Sequence, residues 1–301
     1  MNSIDFRHAH LTAGPWAIAP SARDHAIEAL LRPHAARWPG PGASRGAGRG
    51  RPSGRVALIP VLGILTQHAT PLESWWLATS CDSVSRQIKA AMSDPGIDKI
   101  VLDCDSPGGS VFGVAELAAE IRAARAVKPI IGVANSMAAS AAYWIASACG
   151  ELYVTPSGTV GSIGVIAAHE DVSKALELAG VTVTLITAGK YKSEGTSFAA
   201  LGREARDAMQ SDVDGYGRDF LRDVAAGRGV SVDTVRRTFG EGRMLRGADA
   251  VKVGAADGVA TFSDVIAGRA RSPKTAISAS TLSRLPAALA RSLRMLELLD
   301  D

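Results

Sequence analysis

The 301-residue sequence has only three cysteines, Cys81, Cys104 and Cys149, an odd number without CxxC spacing. That argues against a disulfide framework or a zinc ribbon. The thiols are expected to be reduced and to pack in the core of a cytoplasmic protein. No apolar run reaches the roughly 20 residues a membrane helix requires, the Gly- and Ala-rich stretch 130–150 coming nearest. The first 16 residues lack the basic start and apolar run of a secretory signal. A nucleotide loop of the form GxxxxGK followed by Ser or Thr is absent, and the histidines and acids show no metal-ligand spacing, so neither ATP, another cofactor nor a metal is expected. Net charge is small as well: 21% charged residues nearly cancel at +3, which gives no field for nucleic acid. What the chain does have is 47% apolar residues, enough for a sizeable core and a soluble globular protein without membrane spans.

Residues 39–55, PGPGASRGAGRGRPSGR, contain nothing to bury and read as a flexible linker; a basic RNA-binding arm is the sharper alternative, but no aromatic residues are interleaved. Residues 1–38 form an N-terminal extension with a short helix at 22–38. Beyond the linker, 56–65 and 98–105 are β-branched apolar runs that predict buried strands. Helical spacing at 82–93 lies between them. A helix at 110–126, a strand at 129–134 and a helix at 138–149 follow. A further βαβ unit runs through SIGVIAA, a helix at 172–179 closed by Gly180, and the strand VTVTLIT at 181–187. This alternation predicts an α/β fold with a largely parallel sheet. A long helix is expected over 202–226, with Met209, Val213, Tyr216, Phe220 and Val224 on one face as core or subunit contact. The main domain is assigned to 56–265, and the tail 266–301 carries an amphipathic helix at 285–299.

Four segments place small or polar residues where strands end, which is where α/β folds put their ligands. In DSPGGS, Gly108 and Gly109 free backbone N–H groups to hold an oxyanion; the plainer reading is a βα turn with Ser110 as helix cap. In SMAASAAYW, Ser140 opens an apolar helix, so that the Ala141 N–H is a second oxyanion donor, or else Ser140 is simply a cap. TVGSIGV sets Ser162 between glycines. AGKYKSEG carries Lys190 and Lys192, either of which becomes a base if burial lowers its pKa, and strand alternation does not separate them.

In order, these segments resemble the serine peptidases of the signal-peptide-peptidase A type, over roughly residues 56–259 and including IPVLGIL and GRMLRGADAVKVGAADGV. The resemblance implies a Clp/crotonase-like fold and a Ser/Lys mechanism without cofactor. Ser140 is then the nucleophile, Lys192 rather than Lys190 the general base, and Ser162 the residue that orients the lysine. Gly109 and Ala141 make the oxyanion hole, and Gly108 and Gly161 bind substrate backbone. It further implies an oligomeric ring in which neighbouring subunits complete each site. Ala141 and Ala142 stand where family members have two glycines, which narrows the pocket. The expected lack of a membrane anchor looks more like the phage or prophage branch, whose members cleave capsid and scaffold proteins during head assembly; portal proteins are a further class of partner. A role in degrading cellular signal peptides is the alternative.

Three rivals remain at this stage. His169, beside Glu170 and Asp171, is a candidate base for a Ser/His/Asp mechanism, although Asp171 also reads as a helix cap. A crotonase-like acyl-CoA enzyme would use the paired N–H groups without a serine. A non-catalytic assembly protein would need neither Ser140 nor Lys192.

Overall fold

The computed structural model describes residues 15–18, 55–69 and 78–271. The expected helices at 22–38 and 285–299 and all but the last residue of the linker lie outside them. The described strands make one sheet. Its central path runs β3 (Ala78–Ser80), β2 (Arg55–Thr66), β4 (Ile97–Ser110), β5 (Ile130–Ala139), β6 (Glu151–Val154) and β9 (Gly258–Val259). Every neighbouring pair along that path is parallel. β7 (Thr159–Gly161) adds to β5 in parallel and pairs antiparallel with β8 (Met244–Arg246). β1 (Trp16–Ile18) lies antiparallel on the end of β4. The α/β class and mostly parallel sheet expected from the alternation are therefore present, and Ile100, Val101 and Leu102 of β4 are fully buried, as a strand covered on both faces requires.

Helices α1 (Cys81–Ser93), α2 (Val114–Ala124) and α3 (Ala141–Ser147) follow successive strands. In α1 the spacing of Val84, Ile88 and Ala91 buries one face, and the Ser80 hydroxyl accepts from the Ser83 N–H to cap its start. α4 (Ser173–Leu178) is short. α5 (Arg203–Arg228) is the long helix expected, and the lower half of its apolar stripe is core: Phe220 stacks on Trp144 at 4.4 Å and 8°. A Cβ on Gly227 would fall on the Ser147 carbonyl, so α5 lies directly against α3. α6 (Val232–Thr238), α7 (Gly247–Val253) and α8 (Phe262–Ile266) complete the described helices. All three cysteines are free and buried, and burial pushes the Cys81 and Cys149 thiols up to about 12.

Several boundaries differ from the sequence expectation. β4 continues through Ser110, so the two glycines sit in a strand and not in a turn, and the N-cap of α2 is Gly113 and not Ser110. β5 extends to Ala139, which shortens the expected helix at 138–149 to seven residues beginning at Ala141. The expected strand at 181–187 is not formed: the segment is irregular and exposed, with Ile186 96% accessible. Its alternating valines carry the strand signal, but a strand needs a neighbour for its backbone groups, and no described segment of the chain supplies one.

Candidate active site

The parallel pairing of β5 with β7 ends at Ala139 opposite Gly161, and the next residue of each strand is a serine. Both serines leave the sheet through left-handed backbone, Ser140 at φ 53, ψ −119 and Ser162 at φ 54. Such geometry costs a non-glycine residue about 1–3 kcal/mol and collects at functional sites. The Ser140 N–H donates to the Gly161 carbonyl at 2.7 Å, and the Ser162 N–H donates to the Arg243 carbonyl at 2.9 Å. The two serines are thereby held side by side.

Ser140 occupies the N-cap position of α3, yet its hydroxyl caps nothing; the nearest acceptor is the Gly164 carbonyl at 3.4 Å. The plain capping role therefore fails. A strained strand-to-helix turn that lifts a serine off the sheet is the geometry of a nucleophile elbow. Since α3 has only two turns, the dipole expected of a longer helix is small, and the free N–H of Ala141 is what remains of that expectation.

Gly108 and Gly109 are glycines because backbones converge there. Gly108 has φ 97, and a Cβ on it would lie 2.9 Å from the Ala139 carbonyl oxygen and 3.0 Å from the Ala141 nitrogen. A Cβ on Gly109 would fall on the Leu65 carbonyl of β2. Ser106 fixes this corner by donating to the Gly63 carbonyl at 2.6 Å and accepting from the Gly108 N–H at 3.2 Å. The Gly108 N–H is thereby engaged, and the Ala139 carbonyl and Ala141 nitrogen both approach the Gly108 α-carbon.

Side chains that the sequence reading did not single out hold α3 in place. The Trp144 indole donates to Asp223 at 2.9 Å, and Asp223 in turn pairs with Arg122 at 3.2 Å, joining α3, α5 and α2. The Tyr143 hydroxyl donates to the Ala255 carbonyl at 2.8 Å, and burial pushes its phenol upward. Nearby, the buried Arg228–Asp257 ion pair at 2.8 Å also receives the Leu152 N–H, tying α5 to β6. The aromatic pair in SAAYW, just past Ser140, is the one sequence signal that could have pointed to this support.

The lysines stand apart from the serines. Lys190 donates to Tyr191 at 2.7 Å and to Glu204 at 3.2 Å, and these bonds hold its ammonium above the usual lysine range. That suits it poorly to accept a proton. Lys192 is exposed, and no hydrogen bond links it to the fully buried Ser140 or to Ser162. His169 contacts the Thr196 carbonyl at 3.0 Å; Asp171 accepts from the Ser173 N–H at 2.9 Å but stands one residue ahead of the N-cap of α4, which is Val172, so it is not the cap its sequence suggested. Neither is bonded to Ser140. An open groove of about 550 Å³ begins at Ile163 and Gly164, beside the serines, and continues along Val213, Gly217 and Leu221 of α5. Among the described residues no group of three or more His, Cys, Asp or Glu could hold a metal, and no helix is long and apolar enough to cross a membrane.

The chain is 36% identical to the capsid assembly protease C of Escherichia phage lambda over 211 residues, 70% of this chain and 48% of that protein. It is 34% identical to the head-tail preconnector protein of Enterobacteria phage P21 over 232 residues, 77% of this chain and 46% of that protein. Protease 4 of Salmonella typhi is 32% identical over 195 residues, 64% of this chain and 31% of that one. The chain thus spans about half the length of the two phage relatives. The family model for peptidase family S49 matches residues 122–275, a segment that takes in Ser140, Ser162 and Lys192. By that match the chain belongs to peptidase family S49.

Proposed function

We propose that this chain is a serine endopeptidase in which Ser140 attacks the peptide carbonyl and a Lys192 amine takes its proton. Gly109 and Ala141 N–H groups hold the tetrahedral anion, and water releases the acyl product. The observation that carries the reading is the strained turn at Ser140, with an uncapped hydroxyl, Ser162 alongside, and the backbone of Gly108 packed close against Ala139 and Ala141. Ser162 orients the lysine, while Gly108 and Gly161, having no Cβ, let a peptide backbone approach closely.

Lys192 reaches Ser140 from a neighbouring copy of the chain. Within one copy the serine is buried and the lysine exposed, and the segment leading to the lysine presents Leu178, Val181, Val183, Leu185 and Ile186 to solvent. An unpaired alternating segment of this kind is stabilised by joining another copy, which buries its valines and delivers Lys192. The similarity to two phage proteins, one named as a capsid assembly protease, favours capsid, portal or scaffold proteins as substrates, with a site of action in the cytoplasm or an assembling procapsid.

Cleavage of casein, or of co-expressed head proteins followed by intact mass, tests the reading. Ser140→Ala and Lys192→Met are each expected to lose at least about a thousandfold in kcat/KM, whereas Lys190→Met and His169→Ala retain activity within a few-fold. Full activity in Lys192→Met with loss in His169→Ala would replace the dyad by a histidine mechanism.

A further inference from the structure

β1 occupies a slot that a peptide substrate would have to enter. β4 is flanked by β5 only as far as Ser106, because β5 ends at Ala139 and turns away at Ser140. On its other side β4 stays paired with β2, Leu65 opposite Gly109. The exposed edge at Gly108–Ser110 therefore faces the space beyond Ser140, and β1 fills it, with Trp16 opposite Ser110, Ala17 opposite Gly109 and Ile18 opposite Gly108. The far wall of the slot is the segment that follows Ser162: Trp16 donates to the Ile166 carbonyl at 2.8 Å and accepts from the Ile166 N–H at 2.9 Å. Residues 16–18 are thus a short strand gripped by its backbone on both sides, which is how an extended peptide is held by strand addition.

The register fixes which bond lies over the site. Because both backbone groups of Trp16 face Ile166, those of Ala17 point the other way, toward Gly109. A Cβ on Gly108 would fall against the Ala17 carbonyl oxygen and lie 3.0 Å from the Ala141 nitrogen, so that oxygen and the Ala141 N–H lie on the same side of Gly108. A carbonyl directed at Gly109, on the side of Gly108 where the Ala141 N–H lies, is oriented as the carbonyl of a scissile bond would be. The Ala17 side chain is fully buried, which fits a small residue on the acyl side of the cut, and Ile18 packs on Ile64.

We propose that the chain is its own first substrate, and that the bond cut is Ala17–Ile18. This rests on the Ser/Lys reading above. Ser140 Oγ bonds to the Ala17 carbonyl carbon, and its proton passes through the Lys192 amine to the Ile18 nitrogen as the C–N bond breaks. Water then adds to the ester, gives one proton through the same amine to the departing Ser140 Oγ, and leaves Ala17 as a carboxylic acid that releases the other proton to solvent. Until Lys192 arrives from a neighbouring copy, β1 stays uncut and closes the cleft to other peptides; after the cut, the released segment exposes the edge at Gly108–Ser110.

Intact-mass analysis and N-terminal sequencing of the full chain test this, with casein cleavage followed in the same samples. Wild type is expected to lose residues 1–17 and acquire Ile18 as its first residue, with casein cleavage accelerating as that product accumulates. Ser140→Ala keeps its full mass. Ala17→Glu, a large charged group at a buried site for a small one, slows the self-cut at least about tenfold. Wild type that degrades casein while its own N-terminal segment stays whole, or is cut only at another bond, overturns the self-substrate proposal and leaves the peptidase reading standing. Wild type that cuts neither casein nor itself overturns both.

Discussion

Replacing Ser140 by glycine should make the protein inactive and also more stable than the Ser140→Ala protein. At φ 53, ψ −119 any residue with a Cβ is strained, serine and alanine alike, while glycine is free of that penalty. The strain amounts to about 1–3 kcal/mol, and glycine gives back about 0.5–1 kcal/mol through the added freedom of its unfolded chain. The hydroxyl contributes little, since its nearest partner is 3.4 Å away. Glycine should therefore exceed alanine at this position by up to about 2.5 kcal/mol, which corresponds to at most about 10 °C in Tm for a domain of this size. Urea unfolding followed by circular dichroism, with the two variants compared side by side, gives the difference directly. If Ser140→Gly is less stable than Ser140→Ala, the turn is not strained, and the argument that identifies Ser140 by its backbone is refuted.

Two other perturbations test the scaffold under the site. Gly109→Ala drives a methyl group into the Leu65 backbone of β2, so the sheet must part where the proposed oxyanion donor lies; a loss of at least about 2 kcal/mol in stability and about a hundredfold in kcat/KM is expected, read by urea melts and casein cleavage. Asp257→Asn leaves the buried Arg228 charge without its carboxylate partner and should cost about 3–5 kcal/mol, while Arg228→Met combined with Asp257→Leu recovers most of that loss in the same melts.

Much of the fold could be read from residue patterns. The buried runs around residues 56–65 and 98–105 are β-branched and gave strands; α1 and α5 show their apolar faces in the spacing of Val84 and Ile88 and of Phe220 and Val224. Order and composition of the four segments marked Ser140, Ser162 and the two glycines, which the fold gathers at one corner of the sheet. Other features depend on contacts that local patterns do not encode. Met137, Ala138 and Ala139 extend β5 although their types favour helix, because Asp105 and Ser106 of β4 pair with Met137 and Ala138. β1 is three residues long after a proline and has no periodicity of its own; only the open edge of β4 makes it a strand. The segment at 181–187 fails in the opposite sense, having a strand pattern and no partner within the described chain.

The claim on which everything else depends is that Ser140 of one copy works with Lys192 of another. Mixing Ser140→Ala protein with Lys192→Met protein, after dissociation and reassembly at equal concentrations, tests it most directly by casein cleavage. Half of the serines and half of the lysines are intact and combine at random across copies, so activity should return to about one quarter of wild type although each variant alone is inactive. A mixture as inactive as its components, from variants that reassemble normally, would contradict the account.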